Sequence, residues 1–240
     1  YQVYDAELVN DSTLKLTMDS KDGDMNFPGN VKAIVTYELT ADNALDIKYE
    51  ATTDKTTVIN MTNHSYFNLS GDANNTILND SLYLNSTTFT PVDSTYMTTG
   101  EIVPTEGTLF DFSAMKRIGE EITEENLKND EQMRNGNGYD HNWVLDTKGD
   151  DTQVAAVLKC PATGIMLTMY TNEPGVQVYT GNFLNGAVTG KNGIVYKERT
   201  GVCLETQKYP DTPNKPEWPS AILNPGETYN SHCIYKFSTF

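Results

Sequence analysis

Apolar and polar residues alternate with a period of two along much of this chain, and this pattern constrains the fold more than any other feature. In Val31–Leu39 every second residue is apolar or aromatic, and the pattern returns in residues 45–51 after a turn at Asp42 and Asn43. Successive side chains of a β-strand point to opposite faces of the sheet, so each run predicts a strand with one buried face. Two such runs joined by an Asp-Asn turn predict a β-hairpin.

Similar patterns continue towards the C-terminus. Residues 154–158 and 165–169 predict a second hairpin around a Pro-Ala-Thr-Gly turn, and the last strand is predicted to place Cys233, Tyr235 and Phe237 on one face. One short helix is predicted at 117–128, and the regular alternation of strands and helices that builds a parallel sheet is missing. We therefore predict an all-β protein in which residues 1–240 form one large antiparallel β-sandwich domain.

The charge and cysteine content exclude several classes of function. The chain has 17 basic and 33 acidic residues, a net charge of −16, which disfavours nucleic acids, anionic membranes and highly phosphorylated ligands. A neutral polar small molecule is the partner that this charge accommodates most easily, and the alternative is that the acidity only keeps the protein in solution. Three widely spaced cysteines, Cys160, Cys203 and Cys233, predict buried thiols rather than a disulfide framework or a zinc site. No signal peptide is visible, which favours the cytoplasm over the periplasm or the cell exterior, but the chain opens with Tyr1 rather than Met and the compartment is left open.

The segment from Asn60 to Leu69 contains the first candidate chemical groups. If it is a strand, one face carries alternating polar and amphipathic side chains. These side chains are Asn60, Thr62, His64, Tyr66 and Asn68. The pattern favours a hydrated cleft, and the alternative is an exposed sheet face on which His64 has no chemical role.

The second candidate segment is a Gly-Tyr-Asp-His-Asn-Trp sequence at residues 138–143. We interpret it as a loop in which Asp140 accepts hydrogen bonds from sugar hydroxyls beside an aromatic ring. The alternative is a turn closed by the Asp140 side chain on its own backbone. Metal binding by Asp140 and His141 is disfavoured, because side chains of adjacent residues diverge.

A third segment, 201–211, places Cys203, Glu205 and Gln207 on one strand face. A glutamate flanked by Cys and Leu is partly desolvated, which raises its pKa and makes it a better base near neutral pH. The alternative is that Glu205 pairs with a lysine at a sheet edge. Gln177 and Tyr179 form a similar polar face on another predicted strand.

Four motifs, in this order and at this spacing, resemble those of the aldose 1-epimerase (galactose mutarotase) family. They are Asn-His-Ser-Tyr-Phe-Asn-Leu at 63–69, Gly-Tyr-Asp-His-Asn at 138–142, Gln-Val-Tyr-Thr-Gly-Asn at 177–182 and Leu-Glu-Thr-Gln at 204–207. The resemblance covers nearly the whole chain. It implies a galactose mutarotase-like super-sandwich that interconverts the α and β anomers of free aldohexoses without a cofactor or a metal.

The resemblance also implies roles for individual residues. Glu205 corresponds to the general base and His64 to the general acid, whereas Asp140 and Gln177 correspond to residues that bind sugar hydroxyls. We add Asn63 and Tyr66, which flank the acid, as further substrate-binding residues. The sequence does not distinguish galactose from glucose as the preferred sugar.

The family's N-terminal portion, with an Asn-Arg and a Leu-His-Gly-Gly motif, has no counterpart in this sequence. Arg117, Arg134 and Arg199 all lie in other contexts. We therefore expect the chain to resemble the C-terminal two-thirds of a mutarotase, an N-terminally incomplete sandwich completed by a complementing segment or by a homo-oligomer. The alternatives are an inactive fragment, a carbohydrate-binding sandwich without catalysis and a structural interaction module. Phosphohexose epimerase relatives need a cationic phosphate site that the sequence does not offer.

Overall fold

The computed structural model describes residues 2–240, and β-strands account for most of its regular elements. In chain order the strands are β1 Asp5–Asn10, β2 Thr13–Ser20, β3 Val31–Leu39, β4 Ala44–Thr53, β5 Thr57–Val58, β6 Ser81–Leu84, β7 Thr88–Thr90, β8 Val103–Pro104, β9 Lys116–Arg117, β10 Asp140–Val144, β11 Ala156–Cys160, β12 Ile165–Thr171, β13 Gly175–Tyr179, β14 Cys203–Gln207, β15 Ile222–Leu223 and β16 Tyr229–Thr239. The α-helices are α1 Glu124–Asn129 and α2 Glu131–Gly136, and short 3-10 turns lie at Asp24–Asn26, Ile77–Asn79, Ile118–Glu120, Lys191–Gly193 and Thr212–Asn214.

Within residues 2–240 the strands form three antiparallel sheets. The large sheet has the order β1-β2-β3-β4-β16-β12-β11-β6-β9, the smaller sheet has the order β14-β13-β10-β7-β8, and β15 pairs with β5. The C-terminal strand β16 lies between β4 and β12, so the end of the chain joins two parts of the large sheet that are distant in sequence. The predicted all-β antiparallel class is therefore confirmed.

Both predicted hairpins are present. Strands β3 and β4 pair in register from Val31 opposite Thr53 to Leu39 opposite Leu45, and β11 pairs with β12. Asn43 in the first turn has a φ of 64°, a left-handed conformation that Asn tolerates better than most residues. The turn residues and the alternation of apolar and polar side chains therefore predict both hairpins correctly.

The core lies between the two larger sheets and is rich in aromatic side chains. Fully buried examples are Trp143, Tyr139, Tyr235, Phe110 and Phe112. Their polar atoms are paired: the Trp143 indole nitrogen donates to the Phe110 carbonyl at 3.0 Å, and the Tyr139 hydroxyl donates to the Leu109 carbonyl at 2.9 Å. Large rings with satisfied polar atoms thus fill the interior without leaving these donors unpaired.

The helix predicted at 117–128 is wrong in its extent. Arg117 ends β9, Ile118–Glu120 is a 3-10 turn, and α1 begins only at Glu124. Gly119 packs against Leu78, where a β-carbon would lie 2.7 Å from the Leu78 carbonyl oxygen, so this stretch follows a tertiary contact. The Thr123 hydroxyl accepts a hydrogen bond from the Asn126 amide and caps the true start of α1.

The prediction of a strand for residues 60–68 is also wrong. The structure pairs this segment with a neighbour only at an isolated bridge between Phe67 and Val202. The chain here runs past β14, the edge strand of the smaller sheet, without forming a ladder with it. Contacts at the two ends of this segment, rather than a strand ladder, therefore position His64.

The predicted buried thiols are confirmed, because Cys160, Cys203 and Cys233 are all free and buried.

In the described residues 2–240, no helix combines the length and the apolar character needed to cross a membrane.

A buried hydrogen bond joins the two larger sheets: the Tyr235 hydroxyl on β16 donates to the Leu204 carbonyl on β14 at 2.6 Å. We expect Tyr235→Phe to lower the free energy of unfolding by about 1 kcal/mol, because the ring still packs but the bond is lost. Urea denaturation measures the difference. Tyr170→Phe, on the opposite face of the large sheet, is the control and should change stability little. Equal stability of Tyr235→Phe and the parent chain would contradict a contribution from this bond.

Candidate active site

The register of three strands in the smaller sheet brings the predicted site residues onto one face. Glu205 on β14 lies opposite Gln177 on β13, and Tyr179 on β13 lies opposite both Cys203 and Asp140. Residues two apart on a strand share a face. Glu205, Gln177 and Asp140 therefore form one polar surface, although they are distant in sequence.

Hydrogen bonds fix this polar surface. The Gln177 side-chain nitrogen donates to a carboxylate oxygen of Asp140 at 2.8 Å. The Gln207 side-chain nitrogen donates to the Gln177 side-chain oxygen at 3.5 Å, a long contact. Gln177 is thus held in one orientation, with Asp140 presented beside it. Amide and carboxylate groups arranged in this way can bind several hydroxyl groups of a sugar.

His64 lies over this surface and contacts Glu205. Its Nε2 atom is 3.4 Å from the Glu205 Oε1 atom, and its Nδ1 atom is 3.3 Å from the Cys203 sulfur. The Tyr66 ring stacks on the imidazole with centroids 5.0 Å apart, and Tyr179 meets it edge-on at 6.1 Å. The His64 side chain is 54% exposed and that of Glu205 is 11% exposed. An accessible imidazole thus faces a shielded carboxylate.

The segment that carries His64 is fastened at both ends. The Asn60 side chain donates to the Lys208 carbonyl at 2.9 Å and accepts from the Lys208 amide at 3.0 Å. Phe67 and Val202 exchange backbone hydrogen bonds of 2.8 and 2.9 Å. Lys208 and Val202 flank β14 on either side, so the segment spans the strand that carries Glu205. This bracing places His64 opposite Glu205 without a strand ladder.

Burial changes the proton affinity of both carboxylates. Desolvation raises the pKa of Glu205 to about 7; nearby His64 opposes this shift, and the Asp140 charge adds to it. Desolvation also raises the pKa of Asp140, against the hydrogen bond from Gln177 and the charge of His64. A carboxylate with a pKa near 7 is suited to exchange protons at neutral pH.

Two of the alternatives for these residues are wrong. Asp140 does not close a turn, because it begins strand β10. Glu205 does not pair with the nearest lysine in sequence, because Lys208 lies 3.1 Å from Glu173 and the side chain that contacts Glu205 is His64.

Asn63 and Tyr66 occupy different positions relative to the polar surface. The Asn63 side chain accepts a hydrogen bond from the Ser65 amide at 3.0 Å, which shapes the turn around His64. Tyr66 is 46% exposed and forms a wall of the site. Desolvation raises its pKa to about 12, so its hydroxyl stays protonated. Sugar binding by either residue stays a prediction.

His141 belongs to the core and not to the site. Its ring packs edge-on against Phe110 and Phe89, and its Nδ1 atom accepts a hydrogen bond from the Asp140 amide at 3.1 Å. Complete burial lowers its pKa to about 3 and keeps it neutral. The two adjacent residues of the motif at 138–142 therefore lie in different places, Asp140 on the polar surface and His141 in the core behind it.

Potential metal donors also meet at the site. Among residues 2–240, His64, Cys203 and Glu205 offer ligand atoms that lie within 4.8 Å of one another. These donor types bind Zn²⁺ in other proteins. The same histidine and carboxylate contact each other at 3.4 Å, so a metal bound by both would replace that contact.

Sequence reasoning missed a buried cluster that supports the polar surface. The Asn182 side chain donates to the Gly136 and Tyr139 carbonyls at 2.6 and 2.8 Å, and its oxygen accepts hydrogen bonds from Thr180 and Arg199. The cluster ties the loop after β13 to the start of β10, where Asp140 lies. Asn182 is the last residue of the motif at 177–182, so the sequence offered a signal for its importance. Nothing in the sequence around Arg199 indicates that it joins this cluster.

Comparison with known proteins identifies the family of this chain. The family model for aldose 1-epimerase matches residues 2–236. The chain belongs to the aldose 1-epimerase family. It is 41% identical over 219 residues to a galactose mutarotase of Mus musculus and 40% identical over 230 residues to an aldose 1-epimerase of Escherichia coli K12, which cover 91% and 95% of this chain.

Solved structures of the aldose 1-epimerase family share the fold. The GalM/aldose epimerase homologue of C. elegans superposes with a TM-score of 0.86 at 27% identity, covering 98% of this chain and 68% of that structure. The galactose 1-epimerase of Lactobacillus acidophilus gives 0.79 at 29% identity, covering 99% and 66%. The chain spans 61% of the mouse relative and 64% of the E. coli relative.

The raised pKa of Glu205 predicts a pH-dependent stability cost. Its folded pKa of about 7 exceeds the ordinary value of 4.5, so the folded state loses stability as pH rises from 4.5 to about 7 and loses no more above that. We expect Glu205→Gln to unfold at a higher temperature than the parent chain at pH 8, with a gain of at most about 3 kcal/mol, and to match it below pH 4.5. Thermal melts across this range measure the difference.

Glu50→Gln, an exposed substitution on β4, is the matched control and should show no such trend. A constant difference between Glu205→Gln and the parent chain at every pH would contradict the raised pKa.

Proposed function

We propose that this protein interconverts the α and β anomers of free aldohexoses. The observation that carries the proposal is the contact of His64 Nε2 with Glu205 Oε1 at 3.4 Å, above a surface that offers Asp140 and Gln177 to sugar hydroxyls. Mutarotation needs a base at the C1 hydroxyl and an acid at the ring oxygen, and this pair provides both. The names of the relatives, galactose mutarotase and aldose 1-epimerase, support the same reaction.

In the ring-opening step, the Glu205 carboxylate accepts the proton of the C1 hydroxyl. The C1 carbonyl forms as the bond from C1 to the ring oxygen breaks, and the protonated His64 imidazole gives its proton to that oxygen. Charge stays balanced, because the carboxylate becomes neutral as the imidazolium does. The raised pKa of Glu205 reduces the cost of holding that proton near pH 7.

In the closing step, the open-chain sugar rotates about its C1–C2 bond and presents the other carbonyl face. Neutral His64 then accepts the hydroxyl proton as the oxygen attacks C1, and Glu205 returns its proton to the carbonyl oxygen. Each group ends in its starting state, and the reaction needs no redox partner or cofactor. Asp140 and Gln177 hold the remaining hydroxyls during the rotation, with Asn63 and Tyr66 at the edge of the ring.

We expect a partner to complete the sandwich, either a second copy of the chain or a complementing segment. Sedimentation of the chain during turnover distinguishes a monomer from a homo-oligomer. A carbohydrate-binding sandwich without catalysis is the second candidate; it predicts hexose binding without anomer exchange.

We expect His64→Gln and Glu205→Gln each to lower kcat by about 10²–10⁴-fold, because each removes one proton-transfer group while keeping a similar shape. Exchange between anomers of fresh α-galactose and α-glucose is followed by NMR, with the spontaneous rate in the same buffer subtracted. Gln153→Glu, on the loop before β11, is a control that should leave exchange unchanged. Full activity in either site variant would remove that residue from the mechanism.

The pH profile of kcat/KM provides a second test, because Glu205 acts as a base only when it is ionised. Its pKa of about 7 predicts an acid limb on which kcat/KM rises about tenfold per pH unit below pH 7. Asp140 raises the pKa of Glu205, so Asp140→Asn should move this acid limb to lower pH as well as weaken sugar binding. A profile that is flat between pH 5 and pH 7 would exclude Glu205 as the base.

A further inference from the structure

A buried carboxylate that the proposed reaction does not use lies at one end of the large sheet. Asp80 is 3% exposed and comes immediately before β6, with extended backbone angles of φ −72° and ψ 150°. Its amide donates to the Ile77 carbonyl at 3.1 Å, and its carbonyl accepts a hydrogen bond from the Ile118 amide at 2.9 Å. The backbone of Asp80 is therefore satisfied and held in place.

The strand register places Asp80 on the apolar face of the large sheet. β6 pairs with β11 so that Leu82 lies opposite Leu158, and both leucines are completely buried. Residues two apart on an extended chain share a face, so Asp80 lies on the face of Leu82, and the same register sets it opposite Cys160. A carboxylate thus occupies a position on a face that apolar side chains otherwise fill.

Asp80 differs from the other buried carboxylates of residues 2–240 in having no basic partner. Glu173 lies 3.1 Å from the Lys208 nitrogen, and Glu205 contacts the His64 imidazole at 3.4 Å. Among the described residues, no Lys, Arg or His nitrogen affects the Asp80 carboxylate. Carboxylates are almost never fully buried unless they are paired, so Asp80 departs from the usual pattern.

The hydrogen bonding of the Asp80 carboxylate is weak. The hydrogen bond that it accepts comes from the Cys160 thiol, which is a weak donor. Burial raises the pKa of Asp80, and the bond from Cys160 opposes the rise. A cation that reached this carboxylate would therefore pair with a buried charge that the chain itself leaves uncompensated.

A cleft connects Asp80 with the surface, and we call it the Asp80 cleft. Its volume is about 560 Å³, which is in the range of sites for small organic molecules. Asp80 and Cys160 are its buried residues, and Asp80 is the one charged residue that lines it within residues 2–240. Its exposed rim includes the amides of Asn75 and Asn79 and an apolar wall from the turn between β11 and β12, formed by Pro161 and Ala162.

Hydrogen bonds on both sides hold the Asp80 cleft open in one shape. In the turn between β11 and β12, the Thr163 hydroxyl donates to the Leu69 carbonyl at 2.9 Å. On the other side, the Ile77 amide donates to the Arg199 carbonyl at 2.7 Å. Binding to a cleft that is already formed loses little free energy to ordering its walls.

We propose that the Asp80 cleft binds a primary alkylammonium group, with the nitrogen on the Asp80 carboxylate and the alkyl chain against Pro161 and Ala162. An ammonium group has three N–H donors, so it can bond to the carboxylate and also to the amide oxygens of Asn75 and Asn79. The net charge of −16 attracts cations to the chain. The group belongs either to a free small amine or to a lysine side chain of another protein.

An alkylammonium group suits the Asp80 cleft better than a divalent metal ion does. Calcium takes about six to eight oxygen ligands, often from several carboxylates, and this cleft has one carboxylate. The apolar wall also has no use in binding a metal ion. The cleft is separate from the candidate active site, because Asp80 leads into the large sheet and Glu205 lies in the smaller sheet. The inference therefore does not depend on the proposed function.

The test titrates n-butylammonium chloride into the ¹⁵N-labelled 240-residue chain and follows the backbone amide signals by NMR. We expect saturable shifts at Asn79, Asp80 and Ala162, and no saturable shifts with n-butanol, which has a similar shape without the charge. Sodium chloride at the same concentration controls for ionic strength. Absence of saturable shifts around Asp80 in the parent chain would overturn the proposal without any variant.

The matched variant is Asp80→Asn, which keeps the shape and removes the charge. It should raise the dissociation constant of butylammonium at least about tenfold, because a charge-assisted hydrogen bond becomes a neutral one. Asp5→Asn, an exposed change on β1, should bind like the parent chain. Asp80→Asn should also fold and exchange sugar anomers like the parent chain, and a thermal melt checks its folding. Unchanged butylammonium affinity in folded Asp80→Asn would overturn the role of Asp80.

Further outcomes identify the source of the ammonium group and keep this proposal apart from mutarotation. Saturable shifts with Nα-acetyllysine methylamide as well as butylammonium support a lysine side chain as the occupant, whereas shifts with butylammonium alone support a free amine. Shifts at His64 and Glu205 in place of Asp80, or saturable shifts with calcium chloride and none with butylammonium, overturn the proposal. Anomer exchange in the same samples tests mutarotation separately, and its absence together with saturable shifts at Asp80 still supports the ammonium site.

Discussion

The antiparallel register between β14, β13 and β10 is the constraint on which the candidate active site depends. A slip of one residue between strands turns every side chain to the other face. In β14 that slip would exchange Glu205 for Leu204, which is fully buried in the core. Leu204, Val178 and Trp143 fill the inner face of these strands, so the same apolar packing that stabilises the sheet also holds the polar surface outward.

The protein contains two shielded glutamates with opposite environments. Glu173 is 2% exposed, but Lys208 lies 3.1 Å from one of its oxygens and the Tyr229 hydroxyl lies 3.3 Å from the other. Glu205 instead has its Oε1 atom 3.4 Å from the Nε2 atom of the half-exposed His64. In the first arrangement Lys208 compensates the buried charge of Glu173. Tyr229, which contacts Glu173, also accepts a hydrogen bond from the Met61 amide, so this arrangement also holds the chain close to His64. The second leaves a carboxylate whose pKa burial raises to about 7.

Much of the fold is predictable from the sequence because its signals are local. The hairpin of β3 and β4 follows from alternation and from the Asp42-Asn43 turn, and the shared face of Cys203, Glu205 and Gln207 follows from the geometry of one strand. The segment that carries His64 is wrongly predicted as a strand for the same reason: its sequence alternates. Asn60 and Phe67 contact residues on either side of β14, and no local pattern reports contacts made at such a distance along the chain. The loop prediction for Asp140 is wrong because its Gly138 neighbour suggests a turn, although the strand begins immediately after it.

The sequence by itself determined the hairpins β3–β4 and β11–β12, the shared face of Cys203, Glu205 and Gln207, and the family resemblance that pointed to His64 and Glu205. These features depend on neighbouring residues and on motifs that can be read in order. Only the tertiary structure decided that His64 lies over Glu205 and that His141 is a core residue. Each of these facts depends on which strands pair and which loops cross them, and that is set by the summed packing of the whole core. The tertiary structure also decided the raised pKa of Glu205, because residues from several distant parts of the chain exclude water from its carboxylate.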